Sequence, residues 1–425
     1  MLLRFPDGFL WGAATSSHQV EGDNVDSDWW DWERGEGRIV DGTTSGPAAM
    51  WWSGRAEEDL ARAAELGHNA HRFGLEWSRL EPSPGVFDLT AFGRYRMILE
   101  RARALGLSTM VTLNHFTLPR WAVAGGSWLG RELVERFAVF ASRCASTLGD
   151  VVDRWATVNE PNVLALMGYA TERWPPGLGR TNTFARALAN MLRAHAAGYR
   201  AVHEVLPEAS VGIVLSLPVF VPARPRRADA TAAAGQDWIF NGVMLAALDR
   251  GRLLPPLSLT SKRIDGLARS FDWIGINYYG CYHVQFDATA PQRAFGRHVD
   301  AGNVKTATGD WGAPHPVGLT EQLVRLGRFG VPLFVTENGV FDNEDRVRPQ
   351  YLVEHVRAVH RAIARGADVK GYFHWSLVDN FEWAEGWATR FGLIAIDRRT
   401  QERRVRGSAR VFAGICFSNS VEEGG

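Results

Sequence analysis

The stretch "DRWATVNEP" (153–161) joins an apolar, β-branched run to an asparagine, a glutamate and a proline. A short apolar run that stops at a proline is typical of a buried strand followed by a turn. On its own, Asn-Glu-Pro is more typical of a solvated turn than of a functional site. The same arrangement recurs along the chain, however, and this recurrence indicates a regular architecture.

Eight such runs alternate with helical stretches, as expected for βα units around a parallel sheet. They are "FLWGAATSS" (9–17), "NAHRFGLEWS" (69–78), "STMVTLNHF" (108–116), "DRWATVNEP" (153–161), "ASVGIVLSL" (209–217), "FDWIGINYY" (271–279), "PLFVTENG" (332–339) and "VKGYFHWSL" (369–377). Eight parallel strands close a barrel. The sequence therefore predicts the α/β class and a single (β/α)8 TIM barrel.

The segments between the runs fit this fold. Two amphipathic helices are predicted from shared apolar faces, one with Phe92, Tyr95, Leu99, Ala102 and Leu105, the other with Leu133, Phe137, Phe140, Cys144 and Leu148. Segments 218–235 and 280–315 are predicted to be irregular insertions, the first a long loop that enters a helix. No low-complexity linker divides the chain, so residues 1–425 are predicted to form one domain.

Composition narrows the class of partner. Lys plus Arg equals Asp plus Glu at 47 each, so no long-range field would attract nucleic acid or an anionic membrane. We expect a neutral small-molecule substrate. The N-terminal stretch is broken by Pro6 before the apolar core of a signal peptide can form, and no apolar run is long enough for a membrane helix. A cytoplasmic protein is predicted, while nothing indicates its oligomeric state.

Metal and disulfide chemistry are not indicated. The three cysteines (Cys144, Cys281 and Cys416) are too few and too scattered for a disulfide framework or a zinc site. His195, His355 and His360 lie in predicted helices at spacings that favour packing or surface roles over metal ligation. We predict neither a metal nor a cofactor.

Polar side chains end seven of the eight predicted strands, at the barrel face where chemistry takes place in this fold. In chain order they are Gln19 and Glu21, Arg72 and Glu76, Asn114 and His115, Asn159 and Glu160, Asn277 to Tyr279, Glu337 and Asn338, and His374 and Trp375, with Asp379, Glu382 and Trp383 following. Each alone has an ordinary structural explanation. Desolvating all of them together is costly unless a polar ligand or a catalytic network satisfies them.

Two of these residues, Glu160 and Glu337, could supply the pair of carboxyl groups that glycoside hydrolysis needs. One carboxylic acid protonates the leaving oxygen, and a second carboxylate acts as nucleophile or as the base for water. A nucleophile must stay anionic, and Arg72 and Tyr279 are candidates for the cation and hydroxyl beside Glu337. Glu160 then fits the acid/base, with the neighbouring Asn159 placed to bond a sugar hydroxyl.

At these positions the sequence resembles glycoside hydrolase family 1, the β-glucosidase and β-glycosidase family. The resemblance runs from "FPDGFLWGAATSSHQVEG" (5–22) to "RFGLIAIDRRTQERRVRGSA" (390–409) and includes "HRFGLEWSRLEP", "VTLNHFTLPRW", "TVNEPN", "GINYYG", "FVTENGV" and "GYFHWSLVDNFEWAEGWATRFGL". It covers nearly the whole chain. The resemblance implies a retaining hydrolase in which Glu160 matches the acid/base and Glu337 the nucleophile.

The resemblance also implies roles for further residues. Five match the family's binding residues for the nonreducing sugar, namely Gln19, His115, Asn159, Glu382 and Trp383. Trp375 matches the aromatic platform under that sugar, and Phe391 matches an aromatic wall. The surroundings of the nucleophile are matched by Arg72, Asn277 and Tyr279.

Some positions separate this chain from branches of the family or depart from its usual pattern. Glu160 is unlike the plant thioglucosidase branch, where glutamine replaces the acid, and Trp383 is unlike the phosphosugar branch. His18 stands where tyrosine is common, Phe116 where many members have tryptophan, and Ser216 where asparagine is frequent. These departures touch the pocket rim and the aglycone side, so the leaving-group preference stays open.

The sequence thus favours a retaining β-glycosidase acting on short or aryl β-glucosides, with a role in cellulose degradation. Because one acid that accepts from neighbouring hydroxyls can tolerate both C4 epimers, galactosides and fucosides are also expected substrates. Two alternatives stay open, a transglycosylase with the same catalytic pair and a sugar-binding barrel without turnover. A phosphate-handling enzyme is disfavoured because no glycine-rich phosphate loop is visible near the last two strands.

Overall fold

The computed structural model describes residues 1–258, 261–302 and 311–424. Within these residues, eight parallel strands form a closed barrel: β1 (Leu10–Ala14), β2 (Ala70–Gly74), β3 (Ser108–Asn114), β4 (Arg154–Asn159), β5 (Val211–Ser216), β6 (Trp273–Tyr278), β7 (Leu333–Asn338) and β8 (Val369–Trp375). Each pairs with the next along the chain, and β8 pairs with β1 to close the barrel. Every strand lies inside its predicted run, so the TIM barrel is confirmed.

Helices surround the barrel and connect its strands. The longer ones are Ala56–Glu65, Leu89–Ala104, Glu132–Leu148, Thr181–Val205, Arg227–Asp237, Val243–Arg250, Pro316–Gly327, Arg348–Ala364 and Gly407–Ser418. Shorter helical segments are Ser17–Val20, Asp28–Trp32, Trp51–Arg55, Trp77–Leu80, Arg120–Ala124, Ser127–Leu129, Pro161–Leu164, Ala165–Ala170, Trp238–Gly242, Pro291–Arg293 and Trp383–Glu385. Both predicted apolar faces are buried, Cys144 included, except that Leu105 follows its helix and is half-buried. No helix of the described ranges has the length and apolar composition needed to cross a membrane.

The first predicted insertion enters a helix as expected, Arg227–Asp237, but the prediction that the insertions are otherwise irregular was wrong. Val219–Pro222, Cys281–Phe286 and Gly296–Val299 form a three-stranded sheet with Cys281–Phe286 in the middle. The helix Arg227–Asp237 covers it. These strands are short, and the pairing joins segments about sixty residues apart, so local periodicity carries little signal for them. Residues 303–310 of the second insertion lie outside the described ranges.

Three two-stranded pairs complete the strand inventory of the described ranges: Leu2–Arg4 with Ser420–Glu422, Arg252–Leu253 with Lys262–Arg263, and Ile394–Ile396 with Arg403–Val405. The first of them joins the two ends of the chain. That residues 1–425 form one domain stays a prediction.

The barrel interior is filled by apolar side chains, one from each strand. They are Ala14, Ala70, Met110, Ala156, Val214, Trp273, Phe334 and Phe373. Trp375 and Phe391 pack against the same cluster. Because these side chains fill the barrel interior, the polar residues at the carboxyl ends of the strands lie on top of an apolar layer.

A buried ion pair fastens the segment that follows β8. Arg406 Nη1 and Nη2 donate to Asp379 Oδ1 and Oδ2 at 2.7 and 2.8 Å, and the two side chains are only 3% and 2% exposed. The backbone amide of Gly392 also donates to Asp379 Oδ1. The pair therefore holds both ends of residues 379–392.

Replacing Asp379 with asparagine should lower the free energy of unfolding by about 3–5 kcal/mol, because it leaves the buried Arg406 charge uncompensated. Chemical denaturation measures the change. The matched control is Asp150→Asn, which removes an exposed bidentate pair with Arg96 in which the Asp150 side chain is 66% exposed. That control should cost no more than about 1 kcal/mol. Equal losses in the two variants would contradict this account.

Candidate active site

One buried arginine ties together the ends of several barrel strands. Arg72, near the end of β2, donates from Nη1 to Glu337 Oε1 and from Nη2 to Asn159 Oδ1, both at 2.6 Å. Its Nε donates to Thr112 Oγ1 on β3 at 3.1 Å. The guanidinium is fully buried. Its donors thus fix the relative positions of side chains from β3, β4 and β7.

Glu337 is held at both carboxyl oxygens. Arg72 occupies Oε1, and the Tyr279 hydroxyl donates to Oε2 at 2.6 Å. Burial raises the pKa of Glu337 above its usual value, and the Arg72 charge and the hydrogen bond from Tyr279 oppose this rise. Because both donors stabilise the charged form, this environment suits a carboxylate that stays ionised.

Glu160 has a different environment. It follows β4 with a left-handed backbone (φ 45°), just before the short helix that Pro161 begins. Asn277 Nδ2 donates to Glu160 Oε1 at 2.9 Å. Burial raises the pKa of Glu160 to about 8, and the negative charge of Glu337 contributes to the rise. A pKa near 8 favours the protonated form of Glu160 at neutral pH, whereas the cation and hydroxyl beside Glu337 favour the charged form of that residue.

Gln19, Trp375 and Glu382 form a second group beside the carboxyl pair. Gln19 Nε2 donates to Glu382 Oε2 at 3.3 Å and to the carbonyl of Phe381 at 2.9 Å. Trp375 Nε1 donates to the same Glu382 oxygen at 3.4 Å. Burial raises the pKa of Glu382 well above its usual value. The group presents amide and carboxyl atoms next to an indole face, as sugar binding requires.

His115 links the two groups. Its Nε2 lies 3.2 Å from Asn159 Nδ2, and its ring is nearly parallel to that of Trp375, with centroids 5.8 Å apart. Burial lowers the pKa of His115 well below its usual value, so the imidazole is neutral. The Trp383 ring is also stacked on the His115 ring, with centroids 6.1 Å apart. The ring centroids of Phe391 and Tyr279 are 6.2 Å apart. All twelve predicted site residues thus belong to one connected set.

The sequence did not indicate several neighbours of the site. The Thr336 hydroxyl donates to Asn277 Oδ1 at 2.7 Å, which turns Asn277 Nδ2 toward Glu160. Trp29 and Trp174 pack against Trp383 at centroid distances of 4.6 and 5.7 Å. Thr336 precedes Glu337 on β7 and could have been found from that position. The two tryptophans come from segments far apart in the chain, so no local pattern marks them.

The histidines interpreted as packing residues lie away from this set. His195 is buried with Nδ1 2.6 Å from Thr157 Oγ1, and His355 Nδ1 lies 2.7 Å from the carbonyl of Tyr351. His360 packs edge-on against Phe5. Across the described ranges, no three His, Cys, Asp or Glu side chains are placed to hold a metal ion.

A TIM barrel with two carboxyl groups of unlike environment at the carboxyl ends of its strands is the arrangement expected of a glycoside hydrolase. Residues 1–421 match the model of glycosyl hydrolase family 1. The chain belongs to this family. It is 32% identical to a β-galactosidase of Pyrococcus woesei over 98% of both chains, and 35% identical to a bifunctional β-D-glucosidase/β-D-fucosidase of Bifidobacterium breve over 95% of this chain and 96% of that one.

Solved structures agree with this assignment. A β-glycosidase from Pyrococcus horikoshii superposes with a TM-score of 0.91 at 37% identity, covering 100% of this chain and 97% of that one. The likeness therefore extends over the whole fold.

Proposed function

We propose that this chain is a retaining β-glycosidase that removes terminal nonreducing β-D-glucosyl residues from short or aryl β-glycosides through a covalent glycosyl-enzyme. The observation that carries the proposal is the unequal support of the two carboxyl groups. Glu337 accepts from a cation and a hydroxyl at 2.6 Å each, whereas Glu160 accepts from the neutral amide of Asn277. Burial raises the pKa of both groups, but the Glu337 charge adds to the rise at Glu160, whereas Arg72 and Tyr279 oppose it at Glu337. A retaining mechanism needs this difference.

In the first step a Glu337 oxygen attacks the anomeric carbon while Glu160 gives its proton to the leaving glycosidic oxygen. The transition state resembles an oxocarbenium ion, and the product is a glycosyl ester of Glu337 plus the free aglycone. Arg72 and Tyr279 hold the nucleophile in place, so little rearrangement is needed before attack.

In the second step Glu160, now ionised, takes a proton from water, and the resulting hydroxide attacks the anomeric carbon. The ester bond to Glu337 breaks, and the sugar leaves with its original anomeric configuration. Asn277 contacts the Glu160 carboxyl, and its amide orientation is set by Thr336. This contact keeps the Glu160 oxygen close to the reacting centre in both steps.

We assign binding of the glycone to the group formed by Gln19, Trp375 and Glu382, together with Trp383. Gln19, Glu382 and Trp383 would bind the distal hydroxyls, and Trp375 would stack under the ring. The names of relatives support a range of glycones, since one is a β-galactosidase and another acts as both β-glucosidase and β-fucosidase. Galactosyl and fucosyl groups are therefore included in the proposal.

We further propose that the enzyme acts in the cytoplasm. Cys144 and Cys416 are buried free thiols, which fits a reducing compartment such as the cytoplasm. There the enzyme would act on short β-glucosides, including oligosaccharides that cellulose degradation releases. The alternatives of a transglycosylase or a sugar-binding barrel without turnover are not favoured by the relatives, which are named as glycosidases.

The proposal is tested by following the first-formed sugar by NMR during hydrolysis of p-nitrophenyl β-glucoside by the wild type. We expect β-glucose to appear first and then mutarotate. Initial release of α-glucose would show inversion. Absence of turnover on the glucoside, galactoside and fucoside alike would contradict the proposed function.

A further inference from the structure

We propose that His18 is a positioning residue that fixes the Trp383 indole in the orientation in which it binds the glycone; this inference rests on the proposed function. His18 lies next to Gln19 on the short helix after β1. Gln19 donates to Glu382, and the His18 ring lies parallel to the ring of Trp383, with 6° between planes and 6.0 Å between centroids. The adjacent residues His18 and Gln19 thus contact Trp383 and Glu382, two adjacent residues that are proposed to bind the glycone.

The His18 ring cannot turn freely, because both its nitrogens have partners. Asn24 Nδ2 lies 3.2 Å from Nδ1, and Nε2 lies 3.3 Å from Glu33 Oε2. Since an amide nitrogen only donates, Nδ1 accepts and the ring proton sits on Nε2, directed at Glu33. Rotating the ring would break both contacts inside a fully buried site.

Glu33 is in turn held by its own neighbours. Its Oε1 accepts from Ser45 Oγ and Arg34 Nη1, both at 2.8 Å, and its Oε2 accepts from the Ser45 amide at 3.1 Å. The carboxylate is buried and cannot shift toward solvent. His18 is therefore oriented by a fixed acceptor in residues 33–45, a segment that follows the helix carrying Trp29.

Trp383 needs such support, because its backbone is in the left-handed region with φ 47°. That conformation is unfavourable for a bulky residue and persists only where the surroundings hold it. Trp29 and Phe116 pack on Trp383 at angles of 49° and 64°, and the His115 ring is inclined by 21°, whereas the His18 ring lies within 6° of the indole plane. The imidazole thus sets the tilt of the indole, on which its contact with a sugar depends.

The test is a double-mutant cycle with His18→Phe and Trp383→Phe, assayed on p-nitrophenyl β-glucoside. His18→Phe keeps a ring but removes both hydrogen bonds, and we expect kcat/KM to fall about fivefold to tenfold. In the Trp383→Phe background the same change should alter kcat/KM less than about twofold, because the indole it positions is gone. His18→Gln repeats the cycle if the phenylalanine variant does not fold.

Rates are divided by the active-site concentration from a burst titration, so that misfolded protein does not count. The control is His195→Phe, which removes a fully buried imidazole away from the active site. The two ring nitrogens of His195 contact the hydroxyl groups of Thr157 and Ser270. Its kcat/KM per active site should stay within about twofold of the wild type.

An unchanged kcat/KM in His18→Phe would overturn the inference, and so would an equal loss in both backgrounds, which would show a structural role without coupling to Trp383. A wild type without any β-glycosidase activity would instead remove the proposed function, and this inference with it. The two failures are thus distinguishable.

Discussion

Glu337→Ala is expected to abolish hydrolysis of p-nitrophenyl β-glucoside, with a loss in kcat of more than about 10⁴-fold. The loss exceeds the 10²–10⁴-fold typical of acid–base groups, because without a nucleophile the covalent route has no first step. The measurement is the release of p-nitrophenol by the purified wild type and variant under the same conditions.

Added azide should restore p-nitrophenol release by Glu337→Ala and yield α-glucosyl azide. Azide occupies the space of the removed carboxylate and attacks the face of the sugar that Glu337 would attack. This single displacement inverts the β-glucoside, so the product has the α configuration. The control is Glu344→Ala, an exposed glutamate in the loop after the same strand whose side chain is 63% exposed. It should keep wild-type activity. A Glu337→Ala variant that keeps activity, or that forms β-glucosyl azide, would assign the nucleophile elsewhere.

Glu160→Ala is expected to show a loss that depends on the leaving group. For cellobiose, whose leaving hydroxyl needs protonation, the first step should slow by about 10²–10⁴-fold. For 2,4-dinitrophenyl β-glucoside the first step should stay near the wild-type rate, because that leaving group departs as an anion. Burst kinetics separate the first step from the second, which lacks its base in the variant.

The same variant should change the pH profile. Burial, with a contribution from the Glu337 charge, places the Glu160 pKa near 8, so wild-type kcat/KM falls as pH rises through that value and the proton is lost. Glu160→Ala has no such proton to lose, and its basic limb should disappear. Equal losses on both substrates together with an unchanged basic limb would contradict the role of Glu160.

The barrel was predictable because each strand is an apolar run, buried on both sides, that ends at a turn signal. The polar residues at its mouth were predictable for a related reason. Once Arg72 and Glu337 are placed at strand ends, closure of a parallel barrel brings all carboxyl ends to one face. Their actual contact, Arg72 Nη1 to Glu337 Oε1 at 2.6 Å, follows from that convergence.

Contacts between loops were not predictable in this way. The packing of Trp29 and Trp174 on Trp383 joins three segments that share no periodicity, and it depends on how long loops fold over the mouth. The tilt of Trp383 depends on His18, which the sequence marked only as a departure from the family pattern. The small sheet around Cys281–Phe286 is a further tertiary pairing of segments with weak local preference.

The most direct test of the central claim is peptide mass spectrometry after inactivation of the wild type with 2,4-dinitrophenyl 2-deoxy-2-fluoro-β-glucoside. The fluorine slows both steps, and the good leaving group lets the covalent sugar ester accumulate. We expect one sugar attached to the peptide that carries Glu337, and none on the peptide that carries Glu160. A label on any other carboxylate, or turnover of β-glucosides with no labelled peptide, would contradict it.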